Sequence, residues 1–297
     1  MSLRLHLATI AAAALAGCAT AQRPADAEPQ GEAPDSVYLL IRSDDAGMTH
    51  AVNMAMKRLV ETGMAVSVSV MFPTPWWQEA VDILRAHPQV SVGVHITLNS
   101  EWKNYRWGPV IGPGAASTLV DDHGYFFHSS RDIYENDPDP AQVEAEIRAQ
   151  IERAVGTGLQ IDYVDFHMGT ARNNEGMLEI VRRLAEEYDL LISGFQDETM
   201  LDPQYRAAPE DKPDSLAAMV PRLSTRFNVL ITHPGLDTPE LAALLDMNTG
   251  APLQDMAMHR QGELDALLSE EFAEALDKGA VRLITFRELR ALARSER

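Results

Sequence analysis

The sequence predicts an α/β protein whose strands lie parallel in one sheet, a barrel or a doubly wound sheet, with helices covering them. Short apolar runs rich in β-branched residues recur at 37–41, 66–71, 90–98, 163–166, 190–193, 228–232 and 281–285. Several are almost continuously apolar, the pattern of strands buried on both faces. Stretches with helical spacing lie between them, so strand and helix alternate about seven times in a βα series.

Residues 1–18 stand apart from that series. Arg4 gives a positive start, and 7–15 form an Ala-rich apolar run. The run is about half the roughly 20 residues a membrane-spanning helix needs, and it reads as a secretory signal. It ends in Leu15-Ala16-Gly17-Cys18, which resembles the lipobox of bacterial lipoproteins. The expectation is a lipoprotein signal peptide over 1–18, a lipid anchor at Cys18 and residence on the periplasmic side of a bacterial membrane. A plain secretory signal with an incidental cysteine is the alternative. Cys18 is the only cysteine, so no intramolecular disulfide forms and the core must hold the fold. Residues 19–36 are rich in Ala, Pro, Gln and Glu. They bury too little to order themselves and read as a tether. The remaining 37–297 are expected to form the folded domain.

Within that domain Val52, Met56, Leu59 and Val60 share one helical face. So do Val143, Ile147, Ile151 and Ala154, then Met177, Ile180, Val181, Leu184 and Ala185. Leu241, Leu244 and Leu245 follow, with Thr238 as N-cap and Pro239 in the first turn. Leu264, Leu267, Leu268 and Phe272 continue the pattern. Residues 99–139 break the rhythm with Trp102, Tyr105, Trp107 and Tyr125 among several prolines and glycines. A connection this long is usually functional. Its aromatics either stack on a sugar or form a satellite cluster closing one end of a barrel. The charge balance, 44 Asp plus Glu against 25 Lys plus Arg, argues against nucleic acid and anionic surfaces as partners.

Four strand ends carry groups able to do chemistry. Asp44-Asp45 follows the first run, and two adjacent carboxylates repel unless a positive group compensates. For both to meet one site, the chain must leave β geometry there. His95 lies inside an apolar run and reads either as a hydrogen-bonded core residue or as a ligand. His167 closes 163–167 after Asp165, and His233 closes 230–233. One end of a parallel sheet would gather all of these, where α/β folds place their sites. An Asp-His-His set suits Zn²⁺ or another divalent ion and leaves coordination positions open. His50, His87, His123, His128 and His259 read mostly as surface residues.

Several segments resemble one family. They are Ser43-Asp44-Asp45-Ala46-Gly47, Gly93-Val94-His95-Ile96-Thr97-Leu98, Leu119-Val120-Asp121 with Gly124-Tyr125-Phe126, and 161–167 after the 144–152 helix. His233-Pro234-Gly235 and Arg260 with Glu263-Leu264 complete the set. Together they resemble the YdjC/ChbG-like carbohydrate deacetylases, from about residue 37 to 292. The resemblance implies an irregular, TIM-barrel-like (β/α) barrel of about seven parallel strands. It implies removal of acetyl groups from N-acetylated sugars, with one Mg²⁺ or Zn²⁺ held by Asp45, His95 and His167. Asp44 becomes the candidate general base. His233 is our candidate acid for the sugar nitrogen, because its strand end faces the same cleft. Trp102, Trp107 or Tyr125 would hold the sugar face.

Two positions depart from the family pattern. Arg42 stands where an Asn is usual and would pair with Asp44. Gly169 stands where a second His is usual. These departures favour a rival reading, a non-catalytic sugar-binding lipoprotein on a deacetylase scaffold. A metal-dependent hydrolase of another amide or ester is a further alternative. A homodimer is the candidate assembly.

Overall fold

The computed structural model describes residues 36–223, 225–248 and 255–295. The expected signal peptide, the Cys18 anchor and all but the last residue of the 19–36 tether lie outside these residues. The chain opens with β1 (Tyr38–Ala46), α1 (His50–Glu61), β2 (Val66–Val70), α2 (Trp77–Arg85) and β3 (Ser91–Ile96). After the long excursion come α3 (Ser130–Glu135), α4 (Pro140–Gly156), β4 (Ile161–Phe166), α5 (Glu175–Glu187) and β5 (Leu191–Ile192). Then follow β6 (Thr199–Leu201), α6 (Lys212–Met219), β7 (Phe227–Thr232), α7 (Pro239–Ala242) and α8 (Met256–Leu267). The described chain closes with α9 (Glu270–Lys278), β8 (Arg282–Leu283) and α10 (Phe286–Ser295).

Seven strands run in the order β5-β4-β3-β2-β1-β7-β6, every pair parallel. The short β8 pairs with the first residues of β1, ahead of Ile41 where β2 begins to pair. The sheet curls. Arg42 on β1 bonds Ser193, just past β5, at 2.9 Å, although four strand spacings in a flat sheet would separate these strands by roughly 19 Å. The result is a half-barrel, open between β5 and β6 among the described residues, and it bears out the expected α/β barrel. β6 is a strand the sequence pattern misses, because 199–201 is too short to show a period.

Alternation along β1 divides its side chains between two cores. Leu39 and Ile41 pack in the large cluster shared with the helices. Tyr38 and Leu40 join Tyr163, Val229, Ile284, Phe286 and Leu289 to fill the base of the curl. Tyr163 stacks on Phe286 with ring centroids 4.1 Å apart and lies across Gly93, where a Cβ would sit 2.4 Å from its ring. Position 93 is therefore a matter of space. Gly93→Ala is expected to destabilise by about 1–3 kcal/mol, as overpacked cores do, measurable as a lower denaturation midpoint.

One helical expectation needs correction, and one of the two readings of the 99–139 excursion is favoured. The 264–272 pattern is two helices, because Ser269 caps α9 by accepting from the Phe272 N–H at 3.2 Å. The 99–139 excursion takes the satellite form. Trp107 is buried and its indole N–H donates to the Asn99 carbonyl at 2.7 Å. Buried Glu146 on α4 accepts from the Val110 and Ile111 N–H groups and ties the excursion to the barrel wall.

Candidate active site

The Asp pair meets one cavity because β1 bulges there. Ser43 pairs with Val68 and Ala46 with Val70, three steps on β1 against two on β2. Asp45 takes a left-handed φ of 64°, a conformation open to Asp at modest cost. This is the departure from β geometry that the adjacent carboxylates require. Asp44 stays on the face of Arg42, two residues back, and Asp45 is turned so that it lines the same cavity.

Three buried atoms converge at the end of the sheet. Asp45 Oδ1 lies 3.3 Å from His95 Nε2 and 3.4 Å from His167 Nδ1, and the two nitrogens are 3.3 Å apart. Asp45 Oδ1 has no hydrogen-bond partner among the described residues. The outer nitrogens are both engaged: His95 Nδ1 meets Asp165 at 3.0 Å, and His167 Nε2 meets Glu101 at 2.9 Å. These carboxylates orient the rings so that each remaining nitrogen faces Asp45 and, once its proton has left, would present a lone pair to an ion, the carboxylate–histidine arrangement of metal sites. A point equidistant from three such atoms lies about 2 Å from each, the length of a Zn–N or Zn–O bond. The donor set therefore fits one divalent ion with positions left open on the cavity side.

The electrostatics favour a cation in that gap. Burial opposes charge on His95, yet Asp165 and Asp44 raise its pKa to about 10. Burial likewise opposes charge on His167, and Glu101 with Asp45 raises it to about 9. Burial works against the Asp45 carboxylate, but Arg260, then His167 and His95, hold it well below the usual range. Arg260 on α8 grips Asp45 Oδ2 at 2.6 Å.

Arg42 pairs with Asp44 as its position predicts. Nε and Nη2 meet the two oxygens of Asp44 at 2.7 Å each, and Nε also lies 2.8 Å from Asp165. Burial opposes its charge, and Asp165 and Asp44 more than offset that. His233 lines the same cavity, partly exposed, its backbone N–H donating to Glu263 at 2.6 Å and its ring Nδ1 4.0 Å from the same carboxylate. It makes no hydrogen bond with the trio among the described residues.

The aromatic expectation narrows to one residue. Of the three candidates only Trp102 lines the cavity, and it is buried. Trp107 packs its ring 6.2 Å from that of His167, while Tyr125 is exposed beneath Arg106. His259, read as a surface residue, also lines the cavity. Gly169 has a φ of 68°, and a Cβ there would sit 2.9 Å from Asn173, so the local turn demands glycine. Glu101, Arg260, Asp202 and Tyr205 join the cavity without prior assignment. Arg260 left a signal only through the resemblance, and Asp165 left one by sitting two residues before His167.

A family model described as YdjC-like protein matches residues 38–278. The chain belongs to the YdjC-like family. A carbohydrate deacetylase of Thermoanaerobacter pseudethanolicus is 31% identical over 156 residues, 52% of this chain and 58% of that protein. Another, from Enterococcus faecalis, is 30% identical over 153 residues, 51% of this chain and 56% of that protein. The match therefore spans little more than half the length of these two relatives. A carbohydrate deacetylase of Brevibacillus brevis is 25% identical over 268 residues, 84% of this chain and 99% of that protein. The YdjC-like chain also shares its fold with a crystal structure from Enterococcus faecalis V583 whose name points to cellobiose-phosphate cleavage. That match has a TM-score of 0.69 and 24% identity, covering 86% of this chain and 99% of the other.

Proposed function

We propose that this protein is a metal-dependent hydrolase that removes acetyl groups from N-acetylated sugars. The observation that carries the reading is the convergence of Asp45 Oδ1, His95 Nε2 and His167 Nδ1 within 3.3–3.4 Å, in a family whose relatives are named carbohydrate deacetylases. Asp45, His95 and His167 would hold Mg²⁺ or Zn²⁺. When bound, the ion supplies Lewis acidity toward the acetamide carbonyl and lowers the pKa of water.

The chain's own residues supply the rest. Asp44 takes the proton of the attacking water. Asp165 and Glu101 hold the two imidazoles in the tautomers that present lone pairs to the ion. Arg260 keeps Asp45 ionised and oriented. His233, which lines the same cavity, gives a proton to the departing sugar nitrogen. Proton transfer of this kind contributes roughly 10²–10⁴-fold. The test is acetate release from a panel of N-acetylated sugars by the full chain, before and after chelation and with Zn²⁺ or Mg²⁺ restored. Release that survives complete metal removal refutes the metal-dependent reading.

The grip of Arg42 on both oxygens of Asp44 favours a second reading, a sugar-binding protein that no longer turns over. Saturable sugar binding with no acetate from any substrate would establish it. The same proposal places the protein on the periplasmic side of the membrane, anchored at Cys18, supported by the 15–18 pattern after an apolar run. Cys18→Ser is expected to abolish lipid labelling and leave unprocessed precursor. Equal labelling of both forms refutes the anchor.

A further inference from the structure

The cavity above the trio has a volume of about 420 Å³, within the range of small-molecule sites. Its charges are unevenly matched. Among the described residues the carboxylates lining it are Asp44, Asp45, Glu101, Asp202, Asp246 and Glu263, and the only arginines or lysines are Arg42 and Arg260. Both guanidiniums are taken. Arg42 is bidentate on Asp44, and Arg260 is on Asp45. Glu263 faces buried Lys212 at 3.4 Å, and Glu101 faces His167. Asp202 and Asp246 are left, and neither meets an arginine or lysine in an ion pair among the described residues. Each accepts one backbone N–H instead, Asp202 from Tyr205 and Asp246 from Asn248.

These two carboxylates share the cavity with Tyr205, a residue 39% exposed, while the other aromatics there, Trp102 and Phe166, are buried. An exposed ring beside acceptors is a surface for one sugar face and its hydroxyl or amine donors. Residues 249–254, which follow Asn248, contain no Lys or Arg in sequence. A phosphate brought here would meet two carboxylates, with both cavity arginines already paired, the His233 imidazole acting on Asp202 and the divalent ion confined to the trio. An ammonium would meet two partners.

We propose that Tyr205, Asp202 and Asp246 hold a second sugar unit, and that the site selects glycans carrying a free amine on that unit and rejects phosphorylated ones. The inference rests on the deacetylase reading for which sugar reacts, and on the cavity alone for the charge preference. The protein would then act on partly deacetylated aminoglycans, downstream of a reaction that has already exposed an amine.

The experiment uses the metal-loaded full chain and three trimers of N-acetylglucosamine: fully acetylated, with one free amine, and with a 6-phosphate. Binding is measured by calorimetry and turnover by acetate release. The expected order is amine, then neutral, then phosphate, with roughly tenfold between the extremes at low salt and a narrower gap at 0.5 M NaCl as screening grows. Asp202→Asn and Asp246→Asn are each expected to shrink the amine-to-phosphate ratio, a quantity that general loss of folding or metal does not move. Equal or tighter binding of the phosphorylated trimer overturns the inference, as does an unchanged ratio in both variants. The expected binding order without acetate from any trimer supports the charge preference and sinks the deacetylase reading, so the two fail separately.

Discussion

His95→Ala is expected to strip the divalent ion from the purified protein and to lower acetate release by at least about a thousandfold, since the ion both polarises the carbonyl and activates water. His95 occupies the centre of the charge network. Its Nε2 faces Asp45 and His167, and its Nδ1 is held by Asp165. Removing the ring takes one of three donors and leaves Asp165 with Arg42 as its ion-pair partner and the Ser69 hydroxyl as a donor. Glu101→Gln should act more mildly, because it loosens His167 without deleting a ligand. A metal affinity 10–100-fold weaker is the usual scale for such a change, with turnover recovering at high metal concentration. The two variants thus separate loss of a ligand from loss of its support. Metal content by elemental analysis and acetate release against added Zn²⁺ or Mg²⁺ measure both. Full occupancy in His95→Ala would remove His95 from the ligand set.

Proton release gives an independent reading of the same site. Without the ion, Asp165 and Asp44 raise His95 to about 10, and Glu101 with Asp45 raises His167 to about 9, so both rings are charged at pH 7. An ion can bind only as those protons leave. Uptake should therefore release protons and tighten as pH rises toward 9.

How much of this was legible in the sequence follows the range of each interaction. The β1 run, the Asp pair, His95, His167 and His233 are local, and one end of a parallel sheet gathers them wherever the helices fall. Arg42 with Asp44 is legible for the same reason, as i and i+2 on one strand face. Glu101 and Arg260 come from a loop and from a helix 215 residues beyond Asp45. No spacing rule connects them to the pair they serve. The aromatic segment misled because hydrophobic rings satisfy burial and sugar stacking equally well in sequence. Its outcome was decided by Glu146, a carboxylate on another element that pins the loop down. Tyr205 carries no pattern at all, since it follows a strand of only three residues.

The Asp pair offers the sharpest division. Asp44 and Asp45 are chemically identical neighbours, and only the left-handed turn at Asp45 gives them different tasks. Asp45 faces the two imidazoles and Arg260, while Asp44 faces Arg42. In Asp44→Asn the amide keeps the shape of the side chain, Arg42 keeps Asp165 as its anion, and the three ligands are untouched. Metal content should stay near wild type while acetate release falls about 10²–10⁴-fold, the scale of a lost general base. Asp45→Asn should lose both. A neutral amide is a poorer ligand, and Arg260, whose Nε and Nη1 lack partners among the described residues, would lose the only carboxylate it grips among them. The bidentate contact with Arg42 makes the test severe. A base held at both oxygens must be released or must use its outer lone pairs to take a proton, so its contribution is open to direct measurement. Near-wild-type turnover in Asp44→Asn would mean that the Arg42–Asp44 pair serves only to brace the barrel end, and that the water's proton leaves by another group in the cavity.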